Sequence, residues 1–138
     1  GRNEKAERAL RQVTARMPEH GEAWYSLGLL LAEMERFGDA AGSLSRAASL
    51  LPGRPRVHYN RALVLQRLGR NPEAEGALRE AHRLDPQDAR VLQAMALLQV
   101  GRRRWTEARL WAEKLQALRP DDPSVRELLE HIARASKR

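Results

Sequence analysis

Histidine, carboxylate, serine, arginine, asparagine and tyrosine side chains of this sequence could do chemistry, and their spacing decides which chemistry. The four histidines, His20, His58, His82 and His131, supply neither His-x3-His nor His-Glu-x2-His. Those are the spacings that aim two imidazoles from one helical face at a metal ion. His82 and Asp85 fall one helical turn apart, where a carboxylate would orient an imidazole, yet no serine lies nearby in sequence to be activated. The absence of cysteine excludes disulfides, thiolate metal sites, covalent haem attachment and cysteine nucleophiles. No glycine-rich phosphate loop of the G-x4-G-K-[ST] or G-x-G-x2-G type is present. The residues therefore predict a non-enzyme that needs no metal or cofactor.

What remains is recognition chemistry, carried mainly by arginine. The chain has 22 arginines and three lysines in 138 residues, a net charge of +7 and a pI near 10.9. The excess is uneven: +2 over residues 1–20, −1 over 21–54, +1 over 55–88, +3 over 89–122 and +2 over 123–138. Its densest point is Arg102-Arg103-Arg104. Many acids have an arginine within helical reach, as in Glu4–Arg8 and Glu75–Arg79. Nucleic acid is the disfavoured partner. Binding it calls for aromatic platforms on the basic face, and both tyrosines, Tyr25 and Tyr59, sit far from the charge maximum. No apolar run of about 18 residues is present, so no membrane insertion is expected. The arginine-rich, cysteine-free composition fits either the cytoplasm or the periplasm of a bacterium.

These side chains are positioned by a repeat. Prolines stand at Pro18, Pro52, Pro86 and Pro120, and alanines at Ala6, Ala40, Ala74 and Ala108, each set stepping by 34 residues. Leu50, Leu84 and Leu118 keep the same step, as do Gly28, Ala62 and Ala96. Within one period, Trp24, Leu27, Gly28 and Leu31 recur at i, i+3, i+4 and i+7, one face of a helix, and Ala40, Leu44, Ala47 and Leu51 form a second such face. The spacing predicts helices over 3–16, 21–34, 39–50, 55–68, 72–84, 88–100, 105–118 and 123–136. Asp88 and Asp122 suit N-caps, and Pro55, Pro72 and Pro123 suit first turns. Arg36-Phe37-Gly38-Asp39 reads as a short turn. Gly101 comes two residues too early to match Gly69, which predicts that the first helix of the third period ends early and that Arg102-Arg103-Arg104 lengthens its turn.

The pattern Trp24-x2-Leu27-Gly28-x2-Leu31, then Ala40-x3-Leu44, then Pro52 resembles the tetratricopeptide repeat. Leu68-Gly69-Arg70-Asn71-Pro72-Glu73-Ala74 followed by Leu84-Asp85-Pro86 resembles it again. The resemblance covers essentially the whole chain. It implies an all-α, right-handed superhelical solenoid of antiparallel helix pairs, about eight helices in one array. Residues 1–20 would be the second helix of a truncated repeat, 21–54, 55–88 and 89–122 three full repeats, and 123–138 a capping helix, the whole being part of a longer protein. The face of helix 3–16 formed by Ala6, Ala9, Leu10, Val13 and Met17 would then lack a neighbour and suit self-association.

The resemblance also implies a function, that of an adaptor or scaffold holding a peptide or helix in a concave groove. In such arrays the groove is lined by the first helices, on the side that here carries Tyr25 and Leu29, then Tyr59 and Leu63, then Gln93 and Leu97. Arg56, Asn60, Arg67 and Arg90 flank these rows and would hold a peptide backbone or its carboxylates. The alternatives are a leucine row that merely packs neighbouring helices, and a structural or oligomerising array within a larger enzyme or envelope protein. One branch of the family clamps the acidic C-terminus of heat-shock chaperones with five residues. Only Asn60 and Arg90 match that clamp, with Tyr25, Leu29 and Ala94 at its other places, so that ligand is not expected. Three departures stand out: His58 in the place of Trp24, Arg61 in the place of Leu27, and Gln99 in the place of Leu31 and Leu65.

Overall fold

Each period becomes two helices because its small and large apolar residues alternate at helical spacing and its breaks carry turn residues. The structure, a computed structural model, describes residues 1–138 and contains eight helices: α1 (Arg2–Arg16), α2 (Gly21–Glu33), α3 (Phe37–Leu50), α4 (Pro55–Arg67), α5 (Asn71–Leu84), α6 (Ala89–Gly101), α7 (Trp105–Leu118) and α8 (Pro123–Ser136). No strand is present, and the eight helices expected from the periodicity all form. Phe37, Gly38 and Asp39, read as turn residues from the sequence, are instead the first turn of α3.

The tightest packing joins α2 to α3, α4 to α5 and α6 to α7, the two helices of each repeat. Gly28 explains how close they come. A Cβ added there would lie 2.6 Å from Leu44 Cγ and 3.3 Å from the Leu44 backbone nitrogen, so only glycine fits. Ala40, Leu44 and Ala47 on α3 are fully buried, as are Ala74, Leu78 and Ala81 on α5. The chain forms two compact units, Gly1–Leu84 with α1 to α5 and Asp85–Arg138 with α6 to α8.

The turn inside each repeat is three residues long every time: 34–36, 68–70 and 102–104. Its middle residue is left-handed, Glu35 at φ 59°, Gly69 at 74° and Arg103 at 58°. The same backbone bond closes all three turns, from Arg36 N to Leu31 O, Arg70 N to Leu65 O and Arg104 N to Gln99 O, each 2.9 Å. This is a Schellman-type helix end. The expected early end of the third first helix is therefore corrected. Helix α6 has 13 residues, like α2 and α4, and Gly101 is its last residue. Arg103, not Gly101, occupies the place of Gly69. The repeated backbone bonds set the turn, and an L-residue accepts the left-handed conformation at a cost of about 1–2 kcal/mol. Arg103→Gly is accordingly expected to stabilise unit 2 by roughly 0.5–1 kcal/mol after the larger unfolded-state entropy of glycine is subtracted. Urea unfolding checks this, and an unchanged midpoint would mean that Arg103 makes contacts worth as much as its strain.

Polar departures from the pattern are absorbed differently in each repeat. Trp24 Nε1 donates to Pro18 O at 2.8 Å, and His58 Nε2, 34 residues on, lies 2.9 Å from Pro52 O. A carbonyl only accepts, so His58 carries its proton on Nε2 and does the work of the indole N–H. Gln99 is not absorbed as well. It is fully buried; its Nε2 meets only the weak acceptor Met95 Sδ at 3.6 Å, and its Oε1 has no hydrogen-bond partner. Leaving a buried acceptor unmade costs about 1–3 kcal/mol. Gln99→Leu, which restores the residue of Leu31 and Leu65, is expected to raise stability by about 1–2 kcal/mol. A fall in the denaturation midpoint would contradict this.

Candidate functional site

Residues four apart on a helix share a face. Tyr25 with Leu29 on α2, and Tyr59 with Leu63 on α4, lie beside the buried stripes of their helices, not within them. Leu29 and Leu63 keep 38% and 36% of their surface exposed, so packing leaves part of this leucine row open. Between α2, α3 and α4 lies a cavity of about 210 Å³ lined by Leu29, Ala32, Phe37, Leu44, Asn60, Leu63, Val64 and Arg67. Four residues expected from the sequence, Leu29, Asn60, Leu63 and Arg67, are thus brought to one cavity.

The polar rim is ordered by short bonds. Asn60 Nδ2 donates to Tyr25 Oη at 2.8 Å and to the Arg56 carbonyl at 2.9 Å. Both amide protons are therefore used, and Asn60 offers only its Oδ1, an acceptor. Tyr25, having accepted from Asn60, keeps its own hydroxyl proton to donate. The Arg67 guanidinium lies 4.8 Å above the centre of the Phe37 ring, a cation–π contact that holds the charge at the cavity mouth. Arg56 is exposed, Tyr59 is half-buried on the same helix, and neither lines the cavity.

The other expected site residues, Arg90, Gln93 and Leu97, belong to α6 in unit 2. Gln93 is exposed, and Leu97 is 49% exposed. Arg90 is bound to the N-cap residue of its own helix, with Nε 3.3 Å from Asp88 Oδ1 and Nη2 3.1 Å from Oδ2. Burial raises the Asp88 carboxyl, but the hydrogen bonds of the Arg90 side chain and backbone outweigh it and hold the carboxyl below its ordinary value. The stability this gives is present above the ordinary carboxylate pKa, near 4, and is lost as pH falls through the lowered value. Much of the Arg90 charge is spent on that cap.

Phe37 and Val64 were not legible as site residues, whereas Ala32 lies on the helix side that also carries Tyr25 and Leu29. The available signal was the register shared by Phe37 and Trp105, both at the start of a second helix. In unit 2 Trp105 opens α7 and meets His131 of α8 edge-on, ring centres 6.3 Å apart. His20 Nδ1 accepts from Ala23 N at the start of α2, and no group of three or more His, Asp or Glu is placed to hold a metal.

Comparison with known proteins places this geometry. The profile of the cytochrome c-type biogenesis protein H TPR domain matches residues 4–125. No curated protein sequence matches significantly. Among solved structures, a MamA protein superimposes with a TM-score of 0.93 at 19% identity, over 99% of this chain and 75% of that one. The first TPR of Spaghetti (RPAP3), solved bound to the HSP90 peptide SRMEEVD, gives 0.78 at 18% identity over 86% and 94%. The Sgt2 TPR domain from Aspergillus fumigatus gives 0.73 at 18% identity over 85% and 79%.

Proposed function

Because the chain belongs to the cytochrome c-type biogenesis protein H TPR-domain family, we propose that it is a non-enzymatic interaction module that holds a polypeptide segment during c-type cytochrome biogenesis. The observation that carries this reading is the pairing of Tyr25 and Asn60 beside the apolar cavity of Leu29 and Leu63. Tyr25 Oη offers a donor and Asn60 Oδ1 an acceptor, which together match the C=O and N–H of a peptide. The cavity below takes one apolar side chain. Arg67 at its mouth favours an acidic neighbour in the same segment. Spaghetti's TPR, solved with SRMEEVD, is an example of this fold holding a short segment with three acids. The five-residue clamp is incomplete here, so the apolar anchor carries more of the recognition than a terminal carboxylate does.

Affinity on the order of micromolar, about −8 kcal/mol, suits a carrier that must release its cargo. An array of overlapping peptides covering a c-type cytochrome polypeptide tests the reading. The expected binders combine a large apolar residue with Asp or Glu within a few positions. Binding that follows positive charge, or none at all, would overturn it.

A further inference from the structure

Arg67 is the one charged residue lining the cavity between α2, α3 and α4. Other arginines of unit 1, among them Arg11, Arg36, Arg70 and Arg79, are each bound to a carboxylate. Arg67 is exposed and has no acid in helical reach: Leu63 and Val64 lie one turn before it, Arg70 and Asn71 one turn after. Its partner is instead Phe37, with the guanidinium carbon 4.8 Å from the ring centre. A cation–π contact holds the charge without a hydrogen-bond acceptor. The guanidinium N–H donors therefore stay available to a ligand.

Nothing in the repeat demands this pair. Asn71 takes the place of Phe37 at the start of α5, and Gly101 that of Arg67 at the end of α6. In unit 2, Trp105 opens α7 but meets His131 of α8, and Ala135 stands where the arginine would be. An exposed arginine free to sample its many rotamers binds a carboxylate weakly, because pairing must first order the side chain. The Phe37 ring removes much of that cost. It confines the guanidinium beside Leu29 and Leu63, where the apolar side chain of a bound segment would enter. A guanidinium held in one place can meet both oxygens of a carboxylate with little further ordering.

On the reading of this cavity as a peptide site, we infer that Phe37 is a positioning residue that sets its specificity: it holds Arg67 as a preformed receptor for the carboxylate of an Asp or Glu next to the apolar anchor. Selection for an acid then depends on a side chain that carries no charge. A glutamine in place of the glutamate fills the same space but cannot form the charged pair.

The test uses the full chain and synthetic peptides with one leucine and one glutamate, one to four positions apart, each beside its glutamine counterpart. The quantity read is the ratio of glutamate to glutamine affinity at the spacing where it is largest. Whatever Phe37→Leu does to the cavity wall acts on both peptides and cancels in that ratio. The ratio should be at least about tenfold in the unaltered protein, as for a hydrogen bond to a charged group, and below about threefold in Phe37→Leu, as for an exposed mobile pair. Phe37→Tyr, which keeps the ring, should restore it, and Arg67→Gln should remove it. In the 15N-labelled protein the Arg67 Nε–H signal should carry a ring-current shift that Phe37→Leu abolishes and Phe37→Tyr keeps. A ratio near one in the unaltered protein, the same ratio in Phe37→Leu, or an Arg67 signal that Phe37→Leu does not move would overturn the inference while the peptide site stands. Binding of neither peptide would overturn the peptide site itself, and the role of Phe37 with it.

Discussion

Gly28→Leu is expected to destabilise unit 1 by about 3 kcal/mol, at the upper end of overpacking costs. In a unit of this size that lowers the thermal midpoint by roughly 12 °C or more. The reason is geometric. Even a Cβ would meet Leu44 Cγ at 2.6 Å and the α3 backbone at 3.3 Å, so the whole hairpin must open. Helix propensity acts in the opposite direction, since leucine is favoured over glycine inside a helix by nearly 1 kcal/mol. Gly42→Ala separates the two effects. Gly42 lies within α3 with nothing inside 4 Å of an added Cβ. There only propensity acts, and a gain of about 0.5–1 kcal/mol is expected. Calorimetry of both variants gives opposite signs if the close approach of α2 and α3 is as described. Equal signs would mean that Leu44 can move aside.

Leu63→Asp is expected to weaken peptide binding at least about 30-fold, the 2 kcal/mol typical of a residue at the centre of an interface. Leu63 lines the cavity together with Leu29, yet more than a third of it is exposed, so the substitution leaves the core intact. The new carboxylate removes the apolar anchor and stands beside Arg67, whose charge it would neutralise. Leu110→Asp is the control, because Leu110 is 54% exposed on α7 in unit 2 and lines no part of this cavity. Unchanged binding by Leu63→Asp, or equal loss in the control, would remove the cavity from the account.

The eight helices were readable because proline, alanine, leucine and glycine recur in step, and each has a packing reason that survives folding. The turn at Arg102-Arg103-Arg104 was misread because a glycine was taken as the mark of the left-handed residue. Backbone bonds to Gln99 and Val100 fix that residue at Arg103 whatever its side chain. At the site, Leu29, Asn60, Leu63 and Arg67 were legible, since one helical face was enough to group them. Phe37 was not, because its contribution depends on the angle at which α3 leaves the turn. Nor was the orientation of Asn60. Its amide protons turn inward to Tyr25 and the Arg56 carbonyl, which makes it an acceptor toward a ligand.

The most direct measurement is an amide-shift titration of the labelled full chain with the tightest-binding cytochrome-derived peptide. Shifts centred on Leu29, Asn60, Leu63 and Arg67, absent in Leu63→Asp, are the result expected of a segment held between α2 and α4. Shifts of equal size in Leu63→Asp, or confined to α7 and α8, would contradict it.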